Sequence, residues 1–564
     1  DTDRSRGLGD VYKRQIVRLE ITALTSEGNG VGRYEGMAVF VPYTAVGDVI
    51  ECRIVKLKPN YAYGKIERLL FSSKDRIEPD CPSYFRCGGC VFRHISYDAE
   101  LRAKEGFVRD SFRRIGGFEL DPEPIIGCKD TYHYRNKVQL PVASDENGCF
   151  YGFFSQRSHR VIRIRNCLIQ PEIFTDISDD IISYQNSHGL PAYDESTGRG
   201  LLRHIYLRKG EHSGEIMVVL VVSKSTDAYN ELAHMLADKY KAIKTVCLNV
   251  NSERTNVILG SKDICLYGDG KISDIMCGMK LEISPHAFYQ VNTPAAETVY
   301  SVAKDYAHLS EDETLLDLYC GIGTVGLSMA DKIKKLVGVE VIEQAIVNAR
   351  KNAELNGMAS KAEFVCGDAG EISRAICKES GDSASKPSVH GINDKIDVVV
   401  VDPPRKGCDK TTLDAILDMS PERVVYISCN HATAARDAKY LCEQGYSLVR
   451  YRPCDMFPRT AHVETVCLLS KLHAKQHIEI DLSMDELDLT AAEKKATYQE
   501  IKDYVLQHSG LKVSNLYIAQ VKQKCGIIER ENYNKPKSED AKQPQCPPEN
   551  EAAIRAALEH FGMV

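Results

Sequence analysis

Cys429 closes the apolar run RVVYIS, and Glu464 stands beside another, TVCLL, directly after PRTAHV. A thiol and a carboxylate brought together can run addition–elimination chemistry. The thiolate adds to an electron-poor carbon, and the carboxylate takes up a proton so that the thiolate can leave. Alone, Cys429 is one of twenty cysteines, and the usual fate of that residue type is a small buried thiol. Its neighbours in the alternating strand–helix pattern give it a different expectation.

Upstream, LLDLYCGIGTVGLSMA sets an apolar strand before Gly321 and Gly323 and a helix after them. Glycines there let the backbone approach a ligand without a Cβ clash. Glu340 ends the next strand, VGVE, where a carboxylate can bind ribose hydroxyls, and Asp368 ends VCGD, near an adenine amino group. Asp402, in VVVVDPPRKG, falls at the carboxyl edge where open α/β sheets bind ligands. CGIGTVG also fits the GxGxxG loop of dinucleotide enzymes, a dehydrogenase reading that the DPP motif weighs against. The order of strand, glycine loop, acid, acid and DPP resembles class I S-adenosylmethionine methyltransferases.

A second constellation lies nearer the N-terminus. CPSYFRCGGC holds Cys81, Cys87 and Cys90, and Cys167 closes RIRNC. Three thiols at that spacing with a distant fourth suit an iron–sulfur cluster, and zinc accepts the same four ligands. Arg157, Arg160, Arg163 and Arg165 precede Cys167 with no acidic residue among them, after Tyr151, Phe153 and Phe154. Arginine forks grip phosphates and aromatic rings stack on unpaired bases. RGLLRHIYLRK adds Arg199, Arg203, His204, Arg208 and Lys209. The bland reading of either run is a solvated strand face.

The elements that must position these groups read as a multidomain chain. A 564-residue chain exceeds one core. Residues 1–15 read as a non-native or disordered leader. Residues 16–72 alternate like the short strands of an OB-like β-barrel. Residues 73–290 read as a central α+β RNA-binding domain carrying the cysteines, with the helical stretch 94–121 free to pack on the catalytic region. Residues 291–472 read as a doubly wound α/β domain, because uniformly apolar strands belong in a sheet covered on both faces. Residues 473–564 form a small α-rich appendage of unknown role. A net charge of −7 confines any RNA-binding surface to a local basic patch. No apolar run approaches the roughly 20 residues a membrane span needs, and no export signal appears, so the expectation is a cytoplasmic monomer that binds neither membrane nor DNA.

DPPRKG, SCNHATAARD, PRTAHVE and SPHAFYQVN closely resemble the bacterial 5-methyluridine RNA methyltransferases, over roughly residues 16 to 472. That family holds the 23S rRNA (uracil-C5)-methyltransferases and their tRNA relatives, and the first segment resembles the TRAM domain. The resemblance implies an S-adenosylmethionine-dependent enzyme acting on 23S rRNA, with Cys429 as nucleophile toward uracil carbon 6 and Glu464 as base. It implies Gln290 against cofactor and target, Phe288 lining the pocket, and Tyr319, Glu340, Asp368 and Asp402 on the cofactor with Gly321 and Gly323. It also implies a four-iron four-sulfur cluster on Cys81, Cys87, Cys90 and Cys167, which the tRNA relatives generally lack. His431 and Thr324 depart from the commoner Pro and Asn. A tRNA enzyme, or a non-catalytic RNA-binding or assembly factor, are the alternatives.

Overall fold

The computed structural model describes residues 15–156, 158–381, 395–471, 498–525 and 546–561. Arg157 therefore lies outside the described residues.

Five strands between Ile16 and Phe71 close into a barrel. The alternation read from the sequence is what closes it: Val17, Leu19 and Ile21 point inward on the first strand and meet Val39, Val41, Ile50 and Ile54 in one core. Beyond the barrel, helix α1 (Tyr97–Ser111) is capped by Ser96, whose hydroxyl accepts the Ala99 N–H. Its last buried residue, Val108, and the following Phe112 join the core of the α/β sheet at residues 314–471, where Phe112 stacks on Tyr451 at 4.1 Å.

The central region is built on a seven-stranded sheet among the described residues. The strand Leu202–Lys209 lies inside this sheet, paired to Lys137–Asp145 on one side and Ile216–Val222 on the other. The short strand Val161–Arg163, which carries the basic run, sits at its edge. The hairpin Ile272–Met276 and Met279–Ile283 buries Ile272, Leu281 and Ile283 in one core with Val299, Tyr306 and Leu315. A boundary drawn at residue 290 cuts through that core, so packing joins the two regions.

A second seven-stranded sheet comprises β1 (Thr314–Leu318), β2 (Lys335–Glu340), β3 (Ala362–Cys366), β4 (Val398–Val401), β5 (Arg423–Ser428), β6 (Tyr446–Cys454) and β7 (Glu464–Lys471). Their spatial order is β3-β2-β1-β4-β5-β7-β6. The first five are parallel, and β7 runs antiparallel to β5 and β6. Strands β1 and β4 are buried at every position, the double-sided cover expected of a parallel sheet. The order reverses at β1, and β1 and β4 lie side by side with their carboxyl ends forming the crevice.

Residues 475–564 form a separate compact unit. Within it the helices Tyr498–Ser509, Asn515–Lys524 and Pro548–His560 enclose Ile501, Val505, Ile518, Val521, Ile554 and Leu558. No helix among the described residues is long and apolar enough to cross a membrane.

Candidate active site

The carboxyl ends of β1 to β3 bring Tyr319, Glu340 and Asp368 to one edge of the sheet. After β1 the chain turns through Tyr319 with φ 64° and reaches Gly321 (φ 55°) and Gly323 (φ 82°) before the helix Thr324–Met329. Glu340, at the end of β2, accepts the Gly321 N–H at 3.2 Å and the Ile342 N–H at 3.0 Å, which anchors the loop against β2. Asp368, just past β3, accepts the N–H groups of Gly370 and Glu371 at 3.0 and 3.1 Å. Tyr319 reaches Thr412 at 3.2 Å between hydroxyl oxygens. Beneath the loop, burial pushes Asp317 up to about 8, although it accepts the Gly326 N–H at 2.8 Å. Burial likewise pushes Asp402, at the end of β4, up to about 7. An enclosed set of carboxyls is a site that gains from a cation, and the methyl donor of this chemistry is a sulfonium.

The thiol and carboxylate singled out in the sequence come together one strand further on. Ser428 and Thr465 are the last partners across β5 and β7, and Cys429 and Glu464 are the next residues at that edge, with Glu464 paired to Cys454 of β6. Burial raises the Cys429 thiol, with Glu464 and Asp402 adding to the rise and the Arg405 guanidinium opposing it. Burial and Asp402 push Glu464 up to about 8, again against Arg405. The two groups therefore share one electrostatic environment, with Arg405 as its cation. Arg405 is fixed from two sides: its carbonyl accepts Asn430 Nδ2 at 3.0 Å, and its Nη2 lies 3.4 Å from His462 Nε2. His462 is pushed down to about 4 by burial, Arg405, Arg135 and Lys104, so it meets the guanidinium neutral. Gln290 is held by its carbonyl, which accepts Asn136 Nδ2 at 2.8 Å, and Phe288 stands 65% exposed two residues earlier.

The chain matches the tRNA (uracil-5-)-methyltransferase family over residues 96–472 and the TRAM domain over residues 10–66. The chain belongs to this uracil-5-methyltransferase family. Among curated relatives, an uncharacterized RNA methyltransferase of Bacillus cereus is 40% identical over 465 residues, covering 82% of this chain and 98% of its own. One from Halalkalibacterium halodurans is 40% identical over 472 residues, covering 82% and 99%. Among solved structures, the Pyrococcus abyssi tRNA (uracil-54, C5)-methyltransferase with S-adenosyl-L-homocysteine matches at a TM-score of 0.61 and 26% identity, covering 80% of this chain and all of its own. This chain is thus an S-adenosylmethionine-dependent RNA methyltransferase acting on carbon 5 of uracil, with an N-terminal TRAM barrel.

In this methyltransferase Cys81, Cys87, Cys90 and Cys167 line one cavity of about 290 Å³, together with Arg93 and Arg135. Among the described residues no three His, Cys, Asp or Glu side chains stand close enough to hold a single metal ion. Burial raises the Cys87, Cys90 and Cys167 thiols, Cys167 to about 12. Cys87 also pairs with Ser155, which ties the cysteine loop to the strand before the basic run.

The basic residues divide. Arg160 and Arg165 are exposed, while Arg163 pairs with Asp145 at 2.8 Å and covers the Phe150 ring at 4.3 Å. Arg203, expected on an RNA surface, is 4% exposed and does not reach one. Its Nη1 donates to the carbonyls of Asn251 and Glu253 at 2.7 Å each, and its guanidinium lies 4.4 Å from the Tyr193 ring centre. Arg208 is buried likewise, donating to the carbonyls of Ser284 and Ala287. Both sit on an interior strand, so these arginines tie the fold together. The sequence sets Arg405, in DPPRKG, at the carboxyl edge without showing its role, and His462, in PRTAHVE, is the member of the site it does not single out.

Proposed function

We propose that this methyltransferase converts a specific uridine of 23S rRNA to 5-methyluridine through a covalent bond between Cys429 and carbon 6. The observation that carries the proposal is the meeting of Cys429, Glu464 and Arg405 beside Asp402 at the β4–β5–β7 edge. Cys429 adds to carbon 6 as the thiolate, with Arg405 compensating its charge, and the displaced electron pair makes carbon 5 nucleophilic. S-adenosylmethionine supplies the methyl group that carbon 5 accepts. Glu464 then removes the carbon 5 proton, the double bond reforms, and Cys429 leaves as thiolate. Tyr319, Gly321, Gly323, Glu340, Asp368 and Asp402 hold the cofactor, and Gln290 and Phe288 hold the target base. A base inside a helix is unreachable, so the uridine is unpaired or flipped out.

The four cysteines support a four-iron four-sulfur cluster over zinc. A single zinc draws four sulfurs to about 2.3 Å, whereas these thiols surround a cavity of about 290 Å³ with two arginines facing it. Such a group would hold the cysteine loop and the basic strand together. Anaerobically purified protein is expected to contain iron and sulfide, and stoichiometric zinc would refute the cluster.

The 23S assignment rests on the likeness of the four-cysteine set to the 23S enzymes. A tRNA substrate is the second reading, favoured by the structural likeness to the archaeal tRNA enzyme. Mapping 5-methyluridine in rRNA and tRNA from cells with and without the gene decides between them. Loss of the modification from 23S rRNA is expected; loss confined to tRNA would overturn the assignment.

A further inference from the structure

Residues 455–463 connect β6 to β7 and end at Glu464. Their most constrained member is Arg459, which is 8% exposed and adopts φ 68°. A left-handed backbone at a residue with a Cβ persists only where surrounding contacts over-determine it. Here they come from a segment more than 350 residues away in sequence. Val91 and Phe92 donate their N–H groups to the Arg459 carbonyl at 2.8 and 3.2 Å. The Arg459 N–H donates to Glu100 at 2.7 Å, and its Nη1 donates to the Ile95 carbonyl at 3.0 Å. Lys104 completes the clamp, donating to Asp455 at 2.7 Å and the Phe457 carbonyl at 3.2 Å while pairing with Glu100 at 2.7 Å.

The side chains of Glu100, Lys104 and Asp455 are all fully buried. A buried ionic cluster stabilises little compared with apolar packing of equal volume, and its two carboxylates are compensated by Lys104 together with the Arg459 guanidinium, 3.6 Å from Glu100. What it arranges is the approach to the reacting groups. Phe457 packs edge-on to His462 at 5.8 Å, His462 meets Arg405 at 3.4 Å, and Arg405 stands beside Cys429. Two residues past His462 comes Glu464.

We infer that Arg459 is a positioning residue for the elimination half of the reaction: its clamped backbone sets where Glu464 meets the carbon 5 proton. This rests on Glu464 being the base. A misplaced base slows proton removal after the methyl group has arrived, so the methylated covalent adduct outlives its normal lifetime.

The test uses the full-length protein carrying Arg459→Gly, because glycine tolerates the left-handed turn and only the side-chain anchor is lost. Turnover is expected to fall about tenfold to a hundredfold, with S-adenosylmethionine affinity unchanged and a methylated protein–RNA adduct accumulating on denaturing gels. Arg459→Lys, which retains a donor, should give intermediate turnover and intermediate adduct; this variant decides the matter if the glycine variant is unfolded. Unchanged turnover, or slowed turnover with no adduct, would overturn the inference. Glu464→Gln is the control. If it too fails to accumulate adduct, the assignment of the base fails and the role of Arg459 falls with it, whereas adduct from Glu464→Gln but not from Arg459→Gly overturns the role of Arg459 alone.

Discussion

Glu464 is enclosed, and burial and Asp402 hold its carboxyl up to about 8. A base must be ionised, and the Cys429 thiol is raised as well, so the rate constant for methylation should climb between pH 7 and 9. The same shift has a stability consequence. The folded pKa lies above the ordinary value of 4.5, so the folded state keeps a proton that the unfolded chain releases. Stability from this group therefore falls as pH rises from 4.5 to 8. Glu464→Gln should melt above the wild type at pH 8, with the gap closing toward pH 4.5, as followed by calorimetry. A gap independent of pH would contradict the burial argument. At this scale the sequence revealed Cys429, Glu464 and Asp402, because each ends or begins an apolar run inside a recognisable word. It did not reveal that Arg405 and His462 meet, since 57 residues separate them. Nor could composition show that Arg203 faces carbonyls; only its neighbours in the sheet decide that.

The loop after β1 works as an element because its backbone goes where side chains cannot. A Cβ on Gly323 would lie 3.0 Å from the Phe364 ring in a left-handed conformation. Left-handed backbone costs an alanine about 1–2 kcal/mol, and that strain is present with or without ligand, so Gly323→Ala should lower the melting temperature by a few degrees, as measured by calorimetry. The loop 455–463 depends on a different element. Val91 and Phe92 directly follow Cys90, so the proposed cluster, if bound by the four cysteines, would also steady the donors to Arg459. Stripping metal with a chelator should raise amide hydrogen exchange across residues 455–463, and unchanged exchange would sever that link. The catalytic strands were legible because both their faces are apolar. The strand Leu202–Lys209 was not: its arginines and histidine read as solvent-facing, yet neighbouring strands cover it on both sides.

As a whole molecule the enzyme joins a barrel, a cysteine-bearing sheet and a catalytic sheet within residues 1–474, with residues 475–564 a unit of their own. Periodicity made the barrel and the α/β sheet readable, while the continuous core across residue 290 depends on contacts no local pattern encodes. Of the arginines proposed for RNA contact, Arg160, Arg163 and Arg165 are exposed, and Arg163 is already paired with Asp145. Replacing Arg160 and Arg165 with alanine should lower the salt dependence of RNA affinity by about 0.7 for each lost phosphate contact. Arg203→Ala should instead lower the melting temperature and leave that slope unchanged. The covalent bond between Cys429 and the base is the central proposal, and RNA bearing 5-fluorouridine tests it most directly. Fluorine cannot be taken up by Glu464 as a proton is, so elimination stalls and the adduct persists. Wild-type protein with S-adenosylmethionine and this RNA should give a covalent band on a denaturing gel that Cys429→Ala abolishes. A band that survives in Cys429→Ala, or none from the wild type with either rRNA or tRNA, would contradict the account.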